Sequence, residues 1–145
     1  MANIYVSSVI HAPIDAVWSR IRDFNGMPIW HPAIADSLIE NGLPSDQVGC
    51  IRSFNFKSGG QVRERLLALN DRDHVCSYTI LSAPLPVANY VGTLSLRRVT
   101  DGERTYAEWV ACFDCTAKDE KDLIDKIGQG VFQAGFDALK KYFAP

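Results

Sequence analysis

The chain has 145 residues, enough for one well-buried domain and too few for two ordinary ones. Its 47% apolar and 22% charged residues are those of a folded globular protein. The 15 basic and 17 acidic residues lack the cationic excess of a nucleic-acid surface, and neither a membrane span nor a secretory leader pattern is present, so a cytoplasmic location is expected.

The β-branched run 3–11 reads as a strand. Ala12-Pro13 opens a helix, with proline at its first position and Asp15 in its first turn. Ile14, Val17, Trp18 and Ile21 give that helix one buried face, and Gly26 ends it. The prolines in Met27-Pro28-Ile29-Trp30-His31-Pro32 permit only a brief second helix or turn. The period then changes to two. Strands are expected near 34–40, 50–57, 61–70, 74–82, 89–99 and 104–115, joined by short turns that favour antiparallel neighbours. The period returns to 3.6 over 118–143, with acidic residues at the start of this helix and Lys140 and Lys141 at its end. The fold class is therefore α+β: a curved antiparallel sheet wrapped around one long C-terminal helix, in a single domain spanning 1–145.

Strand parity separates an outer polar face from an inner apolar one. Val62, Glu64, Leu66 and Ala68 share the inner face, as do Tyr78, Tyr90, Gly92, Trp109 and Ala111. Arg52 falls with Phe54 and Phe56. A charged Arg and Glu facing inward cost several kcal/mol each unless paired or wetted. Two readings stand: a structural Arg52–Glu64 pair, or a polar cluster in a water-filled ligand cavity. Small residues opposite large aromatics favour a hollow interior. On the last helix, Phe132, Phe136, Leu139 and Phe143 form the core stripe, and Ile127, Val131 and Gly135 face the cavity. Gly128, Gly130 and Gly135 each cost helix stability, which points to a close backbone approach, room for a ligand, or a frayed segment. Cys112 and Cys115 form a C-x2-C without a second pair or a nearby histidine, so they read as packing thiols and no metal is expected.

The Ala12-Pro13-Ile14-Asp15-Ala16-Val17-Trp18 opening, Trp30-His31-Pro32, Val48-Gly49-Cys50-Ile51-Arg52, Glu64-Arg65-Leu66, Asp71-Arg72-Asp73-His74-Val75 and Asn89-Tyr90 carry a family pattern. With this element order, the chain resembles the START-like, or polyketide cyclase/dehydrase and lipid transport, superfamily (SRPBCC, Bet v 1-like). The resemblance implies the helix-grip fold, with seven strands around the C-terminal helix and apolar or amphipathic ligands held between them. It also implies two classes of activity, carriers or receptors and cyclase, aldolase or dehydratase enzymes, with a protein-contact module as a third. The chain is similar to the plant abscisic-acid receptors, a branch of that superfamily. In that alignment Glu64 and Tyr90 match pocket positions. His31 replaces a carboxylate-binding lysine, Ala111 a glutamate and Gly92 a serine. Ser58-Gly59-Gly60 corresponds to the gate and Leu85-Pro86-Val87 to the latch, without its His-Arg pair.

For a ligand site the expected lining is Trp30, His31, Arg52, Phe54, Phe56 and Glu64 from the first half of the chain. Tyr78, Leu85, Val87, Tyr90, Trp109, Ala111, Ile127, Val131 and Gly135 complete it. For catalysis, His31 or Glu64 would be the base and Tyr90 or Arg52 the donor to an enolate oxygen. The partner expected is a small hydrophobic molecule, with no cofactor or metal; exposed Leu85 and Val87 on a loop lip would serve a homodimer.

Overall fold

The alternating opening of the chain forms β1 (Ala2–Ile10), and Pro13 starts α1 (Ile14–Ile21), which buries Val17, Trp18 and Ile21. A computed structural model describes residues 1–145. The Trp18 indole and Arg22 Nε both donate to Asp71 Oδ1 at 2.8 Å, tying the end of α1 to the turn after the fourth strand. The Pro28 segment makes a single turn, α2 (Met27–Trp30).

Six more strands follow: β2 (Ile34–Ile39), β3 (Ile51–Phe56), β4 (Gln61–Asn70), β5 (Val75–Ser82), β6 (Ala88–Val99) and β7 (Arg104–Asp114). All seven pair antiparallel in the order β1-β7-β6-β5-β4-β3-β2. The helix-grip expectation is met. The sheet curls around the C-terminal helix, whose Phe132, Phe136 and Leu139 are fully buried.

Strand parity holds over β5, β6 and β7, where buried and less buried positions alternate. It fails in β4. There the register slips between Leu66 and Ala68, so the extra residue turns Ala68 outward and lets Leu69 pack on the core. The period over 118–143 also hides a break. The helix runs as α3 (Ala117–Ile127), a π turn (Gly128–Gln133) and α4 (Ala134–Tyr142). Hydrophobic spacing cannot register a single surplus residue of this kind. The glycines are not frayed: Gly128 and Gly130 lie in the π turn. Gly135 lies under two rings, where an added Cβ would come within 3.0 Å of Trp109 and 3.1 Å of His31.

Candidate functional site

Arg52 on β3 and Glu64 on β4 are register partners, so the ladder itself places their side chains together. Arg52 Nε donates to Glu64 Oε1 at 2.8 Å, and Nη2 lies 2.7 Å from the same oxygen. Arg52 Nη1 donates to the Phe24 carbonyl at 3.0 Å, with the guanidinium 3.9 Å above the Phe24 ring. Both side chains are more than nine-tenths buried. Burial raises the Glu64 carboxyl above the usual carboxylate range, and the charge and hydrogen bonds of Arg52 work against that rise. The pair is a real ion pair, and Glu64 Oε2 carries no protein hydrogen bond, so its two expected roles are not exclusive.

Next to the pair stands an aromatic wall. Trp109 donates its indole N–H to the Tyr78 hydroxyl at 3.0 Å. Trp109 stacks on Phe132 with ring centroids 4.4 Å apart, and Tyr90 stacks on Phe113 at 5.6 Å. Burial pushes both the Tyr78 and Tyr90 phenols upward, so each stays protonated at neutral pH. Gly92 exists for Tyr78: a Cβ there would lie 2.5 Å from its Cζ.

The interior is therefore far less hollow than small residues facing aromatics suggest. The cavity between sheet and helix measures about 40 Å³, room for little more than a water or two. Thirteen of its fifteen lining residues are hydrophobic. Of the expected lining, Arg52, Phe54, Phe56, Glu64, Tyr78, Leu85, Tyr90, Trp109, Ile127 and Val131 border it. A void of about 20 Å³ lined by Trp30 shares Met27, Arg52, Tyr78 and Trp109 with it.

Trp30, His31, Val87, Ala111 and Gly135 do not border the cavity. Ala111 is buried and paired with Gly92 and Ile4, and Val87 packs against the core, as does Leu85 at the rim. These two are thus not a free lip. His31 is 1% exposed, and Nδ1 accepts the Ala33 N–H at 3.2 Å. Nε2 must then carry the proton, which it donates to the Val131 carbonyl at 2.8 Å. Burial lowers the imidazole pKa; the Val131 bond opposes that and Arg52's charge adds to it. With both nitrogens engaged, His31 is a neutral packing and positioning group rather than a base poised over the cavity.

Sequence reasoning missed Met27, Ile34, Val62, Ile80 and Ala83 in the lining. Val62 and Ile80 share the parity of Glu64 and Tyr78 and could have been added on that signal. Met27, Ile34 and Ala83 lie at element ends, where parity gives no guide. Cys76 on the same inner face is held near 11 by burial, which makes it a packing thiol. Near Ala83 and Leu85 of the lining, the Gly59-Gly60 turn meets the Pro84 loop: the Cβ position of Gly60 lies 2.9 Å from Pro84 Cγ.

A sheet gripping a helix around a small apolar cavity, with one buried ion pair in its wall, defines a helix-grip protein. The chain belongs to the polyketide cyclase / dehydrase and lipid transport family, whose model matches residues 1–144. Among curated proteins it is 33% identical over 90 residues to the abscisic acid receptor PYL7 of Arabidopsis thaliana, covering 60% of this chain and 41% of the receptor. It is 29% identical over 108 residues to PYL1 of the same plant, covering 72% and 48%. The chain thus spans about half the length of these relatives. The structure of XoxI from Bacillus cereus superposes with a TM-score of 0.88 at 29% identity, over 99% of this chain and 96% of that one. An uncharacterised Bacillus thuringiensis protein gives 0.87 at 30% identity, over 98% of each chain. Ginseng major latex-like protein 151 from Panax ginseng gives 0.81 at 15% identity, over 99% of this chain and 98% of that one, a likeness of fold alone. No helix is long and apolar enough to cross a membrane.

Proposed function

We propose that the protein binds a small, largely apolar molecule with a neutral hydrogen-bond donor, such as a hydroxyl or amine, in the cavity between sheet and helix. The observation that carries this is Glu64: its Oε1 is used by Arg52, while Oε2 has no protein hydrogen bond in a wall whose only other charged group is Arg52. Arg52 in turn is occupied by Glu64 and the Phe24 carbonyl. A ligand carboxylate would find no free cation there and would meet a carboxylate, so a donor fits and an acid does not. The family's name and the relatives named as abscisic acid receptors support a small-molecule role.

Binding needs the cavity to grow, since small-molecule sites usually measure roughly 300–1,000 Å³. The Gly59-Gly60 turn and the Pro84 loop, which touch beside the cavity, are the proposed way in. An acid–base enzyme has less support, because His31 has no free nitrogen and does not border the cavity. The four free thiols support a cytoplasmic setting.

The test is native mass spectrometry of the purified protein, with solvent extraction of any bound molecule, followed by titration with the neutral amine N-phenyl-1-naphthylamine. The expected result is a copurifying apolar alcohol, phenol or amine, or a fluorescent rise on titration. A ligand at 100 times its Kd should also stabilise the fold by about 2.7 kcal/mol. No copurifying molecule together with no fluorescence or stability change refutes the reading.

A further inference from the structure

Inside an α-helix a carbonyl accepts the amide four residues on. In the π turn this spacing breaks: the Ala134 amide reaches the Gln129 carbonyl, five residues back, and the Val131 carbonyl, three back. The Val131 carbonyl takes a second donor, the Nε2 proton of His31. His31 sits between α2 and β2, so one side chain bolts that connection to the irregular turn of the long helix.

Val131 and Ile127, one turn earlier, both form part of the cavity wall. A π turn holds one residue more than the α pitch requires. That surplus can travel along a helix by one-residue register shifts, each rotating the residue passed by roughly 100°. Travel towards α4 is blocked, because Phe136 is fully buried and Gly135 is wedged under Trp109 and His31. Towards α3 Leu123 and Ile127 are buried as well, but the glycines of the turn leave slack on that side. Gly130 has nothing within 4 Å of its Cβ position, and Gly128 has only Ile4 Cγ2 at 3.5 Å.

We propose that the π turn is a movable bulge that sets the cavity volume, and that His31 is the positioning residue that holds it in the closed place. Release of the Val131 carbonyl lets the bulge shift into α3, which rotates Val131 and Ile127 off the wall and makes room beside Glu64. This rests on the reading that the cavity takes a ligand.

The test uses the full chain, N-phenyl-1-naphthylamine as probe, and backbone amide NMR. Probe binding to the wild type should move the amide signals of residues 124–134 most. His31→Leu should bind the probe about five- to tenfold more tightly, since a lost hydrogen bond raises the open fraction by that order. If the variant does not fold, the wild-type spectra carry the test alone. Shifts confined to residues 57–60 and 83–87 overturn the movable bulge and leave ligand binding standing. Affinity unchanged or weakened in a folded His31→Leu also overturns the bulge. No binding by the wild type or the variant overturns both.

Discussion

Replacing Arg52 by Met removes the one cation in the cavity wall. The structure lets the cost be worked out. The Glu64 carboxylate loses contacts of 2.8 and 2.7 Å, and the Phe24 carbonyl loses its 3.0 Å donor. With both partners under 9% exposed, no solvent discount applies, and breaking one side of such a pair costs about 3–5 kcal/mol. Glu64→Leu alone should cost a similar amount by stranding the guanidinium. Arg52→Met with Glu64→Leu removes both charges together. The double variant should lose only about 1–2 kcal/mol, chiefly for the orphaned Phe24 carbonyl. Urea unfolding at pH 7 reads all three. The Arg52→Met variant also acquires a pH signature: an unpaired buried carboxyl titrates higher folded than unfolded. Its stability is therefore fullest below the ordinary Glu value and is lost as pH rises through the folded value, so pH 5 should favour it over pH 7. Additive single and double costs, or an Arg52→Met cost below about 1 kcal/mol, would refute the claim that the two charges are one structural unit.

Gly92→Ala should cost about 2–4 kcal/mol, because its Cβ would lie 2.5 Å from Tyr78 Cζ and displace the ring that accepts the Trp109 indole. Thermal unfolding checks this, and a loss under about 1 kcal/mol would mean the ring has free space after all. The His31 imidazole is lowered in the fold by burial, so its contribution is intact above the ordinary histidine value near 6.5 and is lost as pH falls below that towards the lowered folded value. Denaturation at pH 7.5 and 5.5 should show that loss, and His31→Gln should flatten it. Glu40 is held at about 2 by hydrogen bonds from Arg63 and then Ser53. Stability from that group is present above the ordinary Glu value and is lost as pH falls towards about 2, so Glu40→Gln should shrink the acid limb of the stability curve. An unchanged acid limb would show the contact to be idle.

The periods of two and 3.6, the turn residues and the Pro13 start determined the element order and most of the inward-facing residues. These are local properties, set by backbone geometry and side-chain type over a few positions. Parity even placed Arg52 and Glu64 on the same inner face, because alternation is preserved along each strand. It misread Ala68, since a bulge inserts one residue without changing the residue types around it. The π turn was hidden for the same reason, and with it the role of His31, whose two partners lie 2 and 100 residues away in the chain.

Whether the inner polar residues surround space or fill it was decided only by the folded arrangement. Cavity volume is the small difference between the space enclosed by sheet and helix and the side chains packed into it. Gly92 and Gly135 read in sequence as gaps; in the fold each is the place where an aromatic ring rests. The sequence by itself determined a curved sheet around a helix with charge inside. Only three-dimensional packing decided that the charges pair, that the rings close over them, and that one carboxylate oxygen has no protein hydrogen bond.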